Sequence, residues 1–233
     1  MTTRPFHTVF TLFPDLTHLD FTGPHQFLSR IPQSVTTVAS LAGGTIRGDG
    51  LAFADTVRMA DIEACDLICV PGGLGTTQAA NDAAFMAEFR RLAGTATYVT
   101  SVCTGSLILG AAGLLKGRRA ACHWGWRELL PLYGAIPDAG RVVRDGNVIT
   151  GGGVTAGIDF ALTVLAEVAG AEVAQAVQLG LEYAPEPPFQ SGRPETAPPA
   201  VLARVQAAMD RVKDKRRAEA EAAARSMPGQ ASG

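Results

Sequence analysis

The chain has 233 residues, 47% hydrophobic, 18% charged and only 6% aromatic, so it can bury a sizeable core built from Ala, Val, Leu and Ile rather than from rings. A formal charge of -2 gives no basic excess for nucleic acid or for an anionic membrane surface. No run approaches the roughly 18 apolar residues of a membrane span, and the N-terminus lacks the pattern of a secretory leader, so a cytoplasmic location is expected.

In chain order, Thr8-Val9-Phe10-Thr11-Leu12-Phe13 is a β-rich run closed by Pro14-Asp15, a strand and then a turn. Behind Asp20-Phe21-Thr22-Gly23-Pro24, residues Phe27, Leu28 and Ile31 recur at helical spacing, which predicts a first helix with Pro24 in its opening turn. Residues 34–41 read as a strand, and glycines at 43, 44, 48 and 50 mark an antiparallel hairpin off to the side. Asp66-Leu67-Ile68-Cys69-Val70 is almost wholly apolar, as a parallel strand covered on both faces must be, and it stops at Pro71-Gly72-Gly73. A helix over 81–92 leads to a second strand of this kind, Tyr98-Val99-Thr100-Ser101-Val102, and an apolar helix occupies 106–115.

A short strand around 120–122 and a helix over 126–132 come next, then a hairpin over 142–149 turning at Asp145-Gly146. Gly151-Gly152-Gly153 leads into helices over 158–168 and 171–181. Strands alternating with helices predict an α/β fold, a flavodoxin-like three-layer sandwich with a mostly parallel central sheet. The domain reading is one α/β unit over 1–184, followed over 185–233 by a Pro-rich connector and a C-terminal helix packed on the same domain. In that helix Val201, Leu202, Val205, Met209 and Val212 form the face expected to dock, whereas Lys213-Asp214-Lys215-Arg216-Arg217 turns to solvent and frays. With about 34 residues after Pro199, no two-motif helix-turn-helix unit is expected.

The four cysteines, Cys65, Cys69, Cys103 and Cys122, read as free thiols, and no spacing among them suits a metal, so neither a metal nor a cofactor is expected. Cys103 stands apart. It falls between a buried strand and a helix start, where backbone amides and the positive end of the helix dipole favour a thiolate. With Gly105 allowing a tight turn, this predicts a cysteine nucleophile elbow; the alternative is a cysteine packed as a small hydrophobe. Asp20, just beyond the first strand, faces Cys103 as a proton donor or else caps the first helix. Gly72 and Gly73 either offer free amides beside the thiolate or form a plain loop, and Thr104 contributes an amide and a hydroxyl or simply starts a helix. His123 activates Cys103 or hydrogen-bonds in the core; His7, His18 and His25 have weaker cases, and Trp124 and Trp126 line a pocket or pack.

Pro71-Gly72-Gly73, the run Ser101-Val102-Cys103-Thr104-Gly105-Ser106 and the run from Thr150 to Asp159, taken with Cys122-His123-Trp124 and Leu19-Asp20-Phe21-Thr22-Gly23-Pro24, resemble the ThiJ/PfpI (DJ-1-like) superfamily nearly end to end. The likeness is greatest to its isocyanide-hydrating members. It implies a cofactor-free homodimer that hydrates a small-molecule isocyanide to an N-substituted formamide, with Cys103 matching the nucleophile, Asp20 the acidic partner and Thr104 the residue after the nucleophile. Glyoxalase-like and protease-like members usually carry His where this chain has Thr104, which argues against a glyoxalase or deglycase. Val154 stands where the hydrating members tend to have Ile, a packing change beside the site. A redox or ligand sensor using Cys103 is the reading outside enzymology.

Overall fold

In the computed structural model, which describes residues 4–228, the first strand, β1 (Phe6–Leu12), buries its last five residues, as a strand between two helical layers must. Then come α1 (His18–Leu28), β2 (Ser34–Ser40), β3 (Gly44–Gly48), β4 (Leu51–Arg58), β5 (Leu67–Val70), α2 (Thr76–Asn81), α3 (Ala83–Ala93), β6 (Tyr98–Val102) and α4 (Gly105–Ala111). The second half adds β7 (Arg119–Ala120), β8 (Ile136–Pro137), β9 (Val142–Asp145), β10 (Val148–Gly151), α5 (Ala156–Ala169), α6 (Ala171–Gly180) and α7 (Pro199–Arg225).

Eight strands make one sheet in the order β3-β4-β2-β1-β5-β6-β10-β9. The strands from β4 to β10 run parallel, and an antiparallel partner closes each edge. This is the predicted α/β fold with a mostly parallel sheet. Helices α1, α5 and α6 pack as one group and α2, α4 and α7 as another, around a core that includes Phe10, Ile68, Phe89, Leu107 and Phe160. The chain winds from β1 to β2 on one side and from β5 to β6 on the other, so the order reverses between β1 and β5. Open parallel sheets leave their ligand crevice at such a point, beyond the strand C-termini.

Several boundaries differ from the sequence reading. The 43–50 hairpin is not a side feature, because β4 joins the sheet through Ala39 opposite Val57 and Ser40 opposite Arg58. The helix over 81–92 is two helices, since the Asp82 side chain accepts the amides of Ala84 and Phe85 at 2.9 and 3.0 Å and starts α3 afresh. The strand at 120–122 shrinks to β7, which pairs with β8 outside the main sheet. Residues Arg127–Tyr133 form a 3-10 helix, with Pro131 lacking the donor an α-helix would use there and Gly134 ending the turn at φ 71°. Helix α1 starts at His18, so Pro24 is mid-helix instead of in the first turn, and it packs on α5, where a Cβ on Gly157 would lie 3.1 Å from the Pro24 ring.

The largest departure is α7. On the expected docking face, Val201, Leu202 and Met209 are half-buried, Met209 against the core, but Val205 and Val212 are 40% and 39% exposed, whereas Arg216, Ala220, Ala223 and Ala224, with Met227 just past the helix, are buried. The helix does not turn outward at its charged run: the Thr77 hydroxyl donates to Glu219 Oε2 at 2.5 Å and the Asn81 amide to the Glu219 carbonyl at 2.9 Å, tying α7 to α2. Small alanines permit that close approach.

Candidate active site

Cys103 sits on the elbow between β6 and α4 with φ 59°, a left-handed conformation that a residue with a Cβ adopts at a cost of about 1–3 kcal/mol. Its amide is held by the carbonyls of Gly152 at 2.8 Å and Gly151 at 3.1 Å, so the end of β10 fixes the strained residue. The turn makes a demand on Gly105 other than conformational freedom. A Cβ there would fall 2.4 Å from the Val70 carbonyl oxygen and 2.7 Å from that of Pro71, so glycine lets α4 start against the end of β5.

Asp20, fully buried in the first turn of α1, is brought to the same place. It does not cap its own helix; Oδ2 accepts the Gly72 amide at 3.0 Å across the crevice. Oδ1 is buried without a hydrogen-bond partner. Gly72 is what allows the approach, since a Cβ on it would lie 2.5 Å from the Thr104 amide and hydroxyl and 2.9 Å from Asp20 Oδ2. Neither glycine amide is free, because Gly73 N–H donates to the Thr104 hydroxyl at 3.0 Å. The expected role of free amides beside the sulfur therefore fails for Gly72 and Gly73. The amides that act on the sulfur are those of Thr104 and Val154, both lowering the thiol pKa.

Burial lifts the Asp20 pKa from 3.8 to about 7, against the opposing effects of the Cys103 side chain and the Gly72 amide, with a small further rise from Asp49. Cys103 moves the same way. Burial first, then the Asp20 carboxylate and then Cys122, push its thiol well above the ordinary value, outweighing the two amides. The expectation of a thiolate sustained by the helix end is corrected accordingly: α4 has only seven residues, and burial outweighs the two amides. Burial is the largest cause at both groups, and because the Asp20 charge raises the thiol while the Cys103 side chain lowers the carboxyl, the two titrate as one coupled pair.

The Thr104 hydroxyl belongs to a closed ring. Thr76 donates to the Gly73 carbonyl at 2.9 Å, which leaves Thr104 as donor in the 2.8 Å contact between the two threonines, while Gly73 N–H closes the circle on Thr104. Every polar atom of the ring is satisfied, so the Gly72–Gly73 turn is stiff. Arg216 of α7 also donates to the Gly73 carbonyl, at 2.7 Å, with its guanidinium 4.6 Å from the Trp126 ring centroid. Nothing in the sequence reading placed Arg216 here.

His123 accepts the Gly125 amide on Nδ1 at 3.2 Å and stacks on Trp124, and burial and Arg216 lower its pKa. No hydrogen bond joins it to Cys103 among the described residues. Its ring lies against Gly153, where a Cβ would be 3.0 Å from Cδ2. His7, His18 and His25 stand elsewhere, His7 binding the Ala64 carbonyl and Thr37 and His25 packing on Phe10 and Phe21. A cavity of about 320 Å³ opens beside the Gly152–Gly153 turn, walled by Cys122, Trp124, Arg127 and, from the connector, Arg193 and Pro194. Cys65, Cys69 and Cys122 are free and buried, with thiols pushed to about 11, 12 and 11.

A strained cysteine on a strand-to-helix elbow, facing a buried carboxyl at the switch point of a parallel sheet, defines a class: α/β proteins with a cysteine centre. Over residues 7–167 the chain matches the DJ-1/PfpI family, and it belongs to that family. It is 52% identical over 194 residues to an isonitrile hydratase of Pseudomonas putida, covering 83% of this chain and 85% of that one. Among solved structures it is similar to a ThiJ/PfpI family protein from Pseudomonas syringae, with TM-score 0.87 and 39% identity over 94% of this chain and 90% of that one. Drosophila melanogaster DJ-1beta is more distant, with TM-score 0.68 and 25% identity over 78% of this chain and all of that one.

Proposed function

We propose that this chain hydrates isocyanides to N-substituted formamides, with Cys103 as nucleophile and Asp20 as proton donor. The observation that carries the reading is the strained Cys103 elbow beside the buried Asp20 carboxyl, whose Oδ1 has no other partner, in a chain 52% identical to an isonitrile hydratase. The terminal carbon of R–N≡C must gain both a nucleophile and a proton. As the sulfur forms its bond to that carbon, the Asp20 proton is delivered to the same atom, giving the thioimidate R–N=CH–S–Cys103. Water then adds to the carbon, returning one proton to Asp20 and passing the other to nitrogen. Collapse breaks the C–S bond and releases R–NH–CHO, with thiolate and neutral Asp20 restored.

The Gly72 amide on Oδ2 orients Asp20, which puts the acid proton on Oδ1, the oxygen without a partner. The Thr104 and Val154 amides steady the sulfur as it leaves, and the Thr104 hydroxyl holds the turn. Gly73 takes part by holding the Thr104 hydroxyl, and His123 by packing on the Gly153 turn that precedes Val154. We also take the working unit to be a cytoplasmic homodimer. Four free cysteines suit a reducing compartment, and the exposed apolar side chains of Leu74, Leu179 and Phe189 suit coverage by a second copy.

Steady-state assays with small alkyl and aryl isocyanides are expected to yield formamide, with turnover abolished in Cys103→Ala and reduced at least about a hundredfold in Asp20→Asn, the range of a lost general acid. Retained turnover in Cys103→Ala, or lactate from methylglyoxal with no formamide from any isocyanide, overturns the reading. Sedimentation is expected to give twice the 24.3 kDa chain mass.

A further inference from the structure

Arg216 is 5% exposed, and no carboxylate stands within ion-pair distance of it among the described residues. Its helical neighbour Glu219 is engaged by the Thr77 hydroxyl at 2.5 Å and by Lys215 at 3.8 Å. A buried guanidinium without an anion is costly, and the Gly73 carbonyl and the Trp126 face repay only part of its lost hydration. Cys103 and Cys122 both act on Arg216 in the direction of holding its proton, as does Glu219.

We infer that Arg216 is a positioning residue of the active site: its guanidinium, clamped between Trp126 and the Gly73 carbonyl, balances the charge of the Cys103 thiolate and holds the Gly72–Gly73 turn against Thr104 and Asp20. This rests on Cys103 being the reacting thiol. The path is short. Arg216 Nη2 donates to the Gly73 carbonyl, Gly73 N–H donates to Thr104, and the next amide up the turn, that of Gly72, holds Asp20. By linkage, a cation whose proton is stabilised by a thiolate lowers the cost of making that thiolate by the same amount. The groups facing this centre are Asp20 from α1, with Asp49 acting on it, Cys122 and His123 after β7, with Arg127 acting on Cys122, and Glu219 on α7 itself. Of these, Asp20 and Cys122 oppose the Cys103 thiolate, leaving Arg216 as the buried cation of the group.

The test is alkylation of Cys103 by iodoacetamide as a function of pH, read by mass spectrometry of the Cys103 peptide, in full-length wild type, Arg216→Lys, Arg216→Gln and Arg216→Met. Alkylation needs no isocyanide, so the result stands apart from whether the chain hydrates one. The neutral variants are expected to displace the profile to higher pH and to slow alkylation at pH 7 about tenfold for each unit of displacement, and Arg216→Lys, which keeps the charge, to restore most of it. An unmoved profile in either neutral variant overturns the inference, even with a lowered melting temperature. Should neither neutral variant fold, Trp126→Leu, which frees the guanidinium from its aromatic face, is expected to slow alkylation at pH 7 about threefold, half a unit of displacement. An unmoved profile there overturns it as well.

Discussion

At the scale of single residues, the proton shared by Cys103 and Asp20 sets how the site answers to pH. With both groups protonated, the sulfur is a thiol and cannot attack; with one proton on the pair, the reactive fraction is the tautomer that carries it on Asp20 and leaves a thiolate; with none, the carbon has no proton to receive. The first loss occurs about where Asp20 titrates, near 7, and the second well above the ordinary thiol value. Plotted against pH, kcat/KM for isocyanide hydration is therefore expected to climb on an acid limb near 7 and to hold a plateau into the alkaline range. In Asp20→Asn the limb near 7 is expected to vanish. A wild-type limb near 4 would mean that Asp20 is not buried as described.

The residue scale is also where the sequence was least informative about partners. Cys103 was legible because a strand, a turn and a helix flank it, and those are local signals. Asp20 lies 52 residues from Gly72, and whether it capped its helix or crossed the crevice was undecidable from spacing. The Gly72 and Gly73 amides were open to use in the sequence and are taken in the fold, by Asp20 and Thr104. What identifies Gly72 as indispensable is crowding by Thr104 and Asp20, which no local pattern records.

Among the elements, the strands that carry the site were legible, because β5 is a short apolar run and β6 a short β-branched and aromatic one, ended by a Gly-Gly turn and by the nucleophile. Helix α7 was not. Its large apolar residues advertise a face that stays half-exposed, while its docked stripe is Arg216, Ala220, Ala223 and Ala224, continued by Met227 just past its end. That stripe has the helical spacing too, but alanine carries little hydrophobic weight and arginine counts against burial. Its stability comes from closeness and from polar ties. Glu219→Ala removes the acceptor of the Thr77 hydroxyl, a charged hydrogen bond whose loss is expected to cost about 1.5–3 kcal/mol in denaturant unfolding. It is also expected to expose α7 to proteases before the sheet. Unfolding indistinguishable from wild type would show that the alanine stripe alone secures the helix.

For the whole molecule, burying Asp20 trades stability against chemistry. The folded carboxyl binds its proton up to about pH 7, whereas the unfolded one releases it near 3.8, so between those values the native state holds more protons and stability from this group falls as pH rises. The window closes near 7, above which both states are ionised. Asp20→Asn has no proton to release. Its melting temperature relative to wild type is expected to grow from pH 4 to 7 and then level off, by roughly 2–4 °C for each kcal/mol involved. A difference that stays constant across that range would show that burial does not raise this pKa.

The bond from Arg216 to Gly73 joins residues 143 positions apart. A ribosome delivers the chain from its N-terminus, so the sheet, the elbow and the acid can all be wound while the last helix is still unmade. A chain stopped anywhere between α6 and Arg216 would lack the guanidinium that meets the Gly73 carbonyl and the alanines that close the core over α2 and α4.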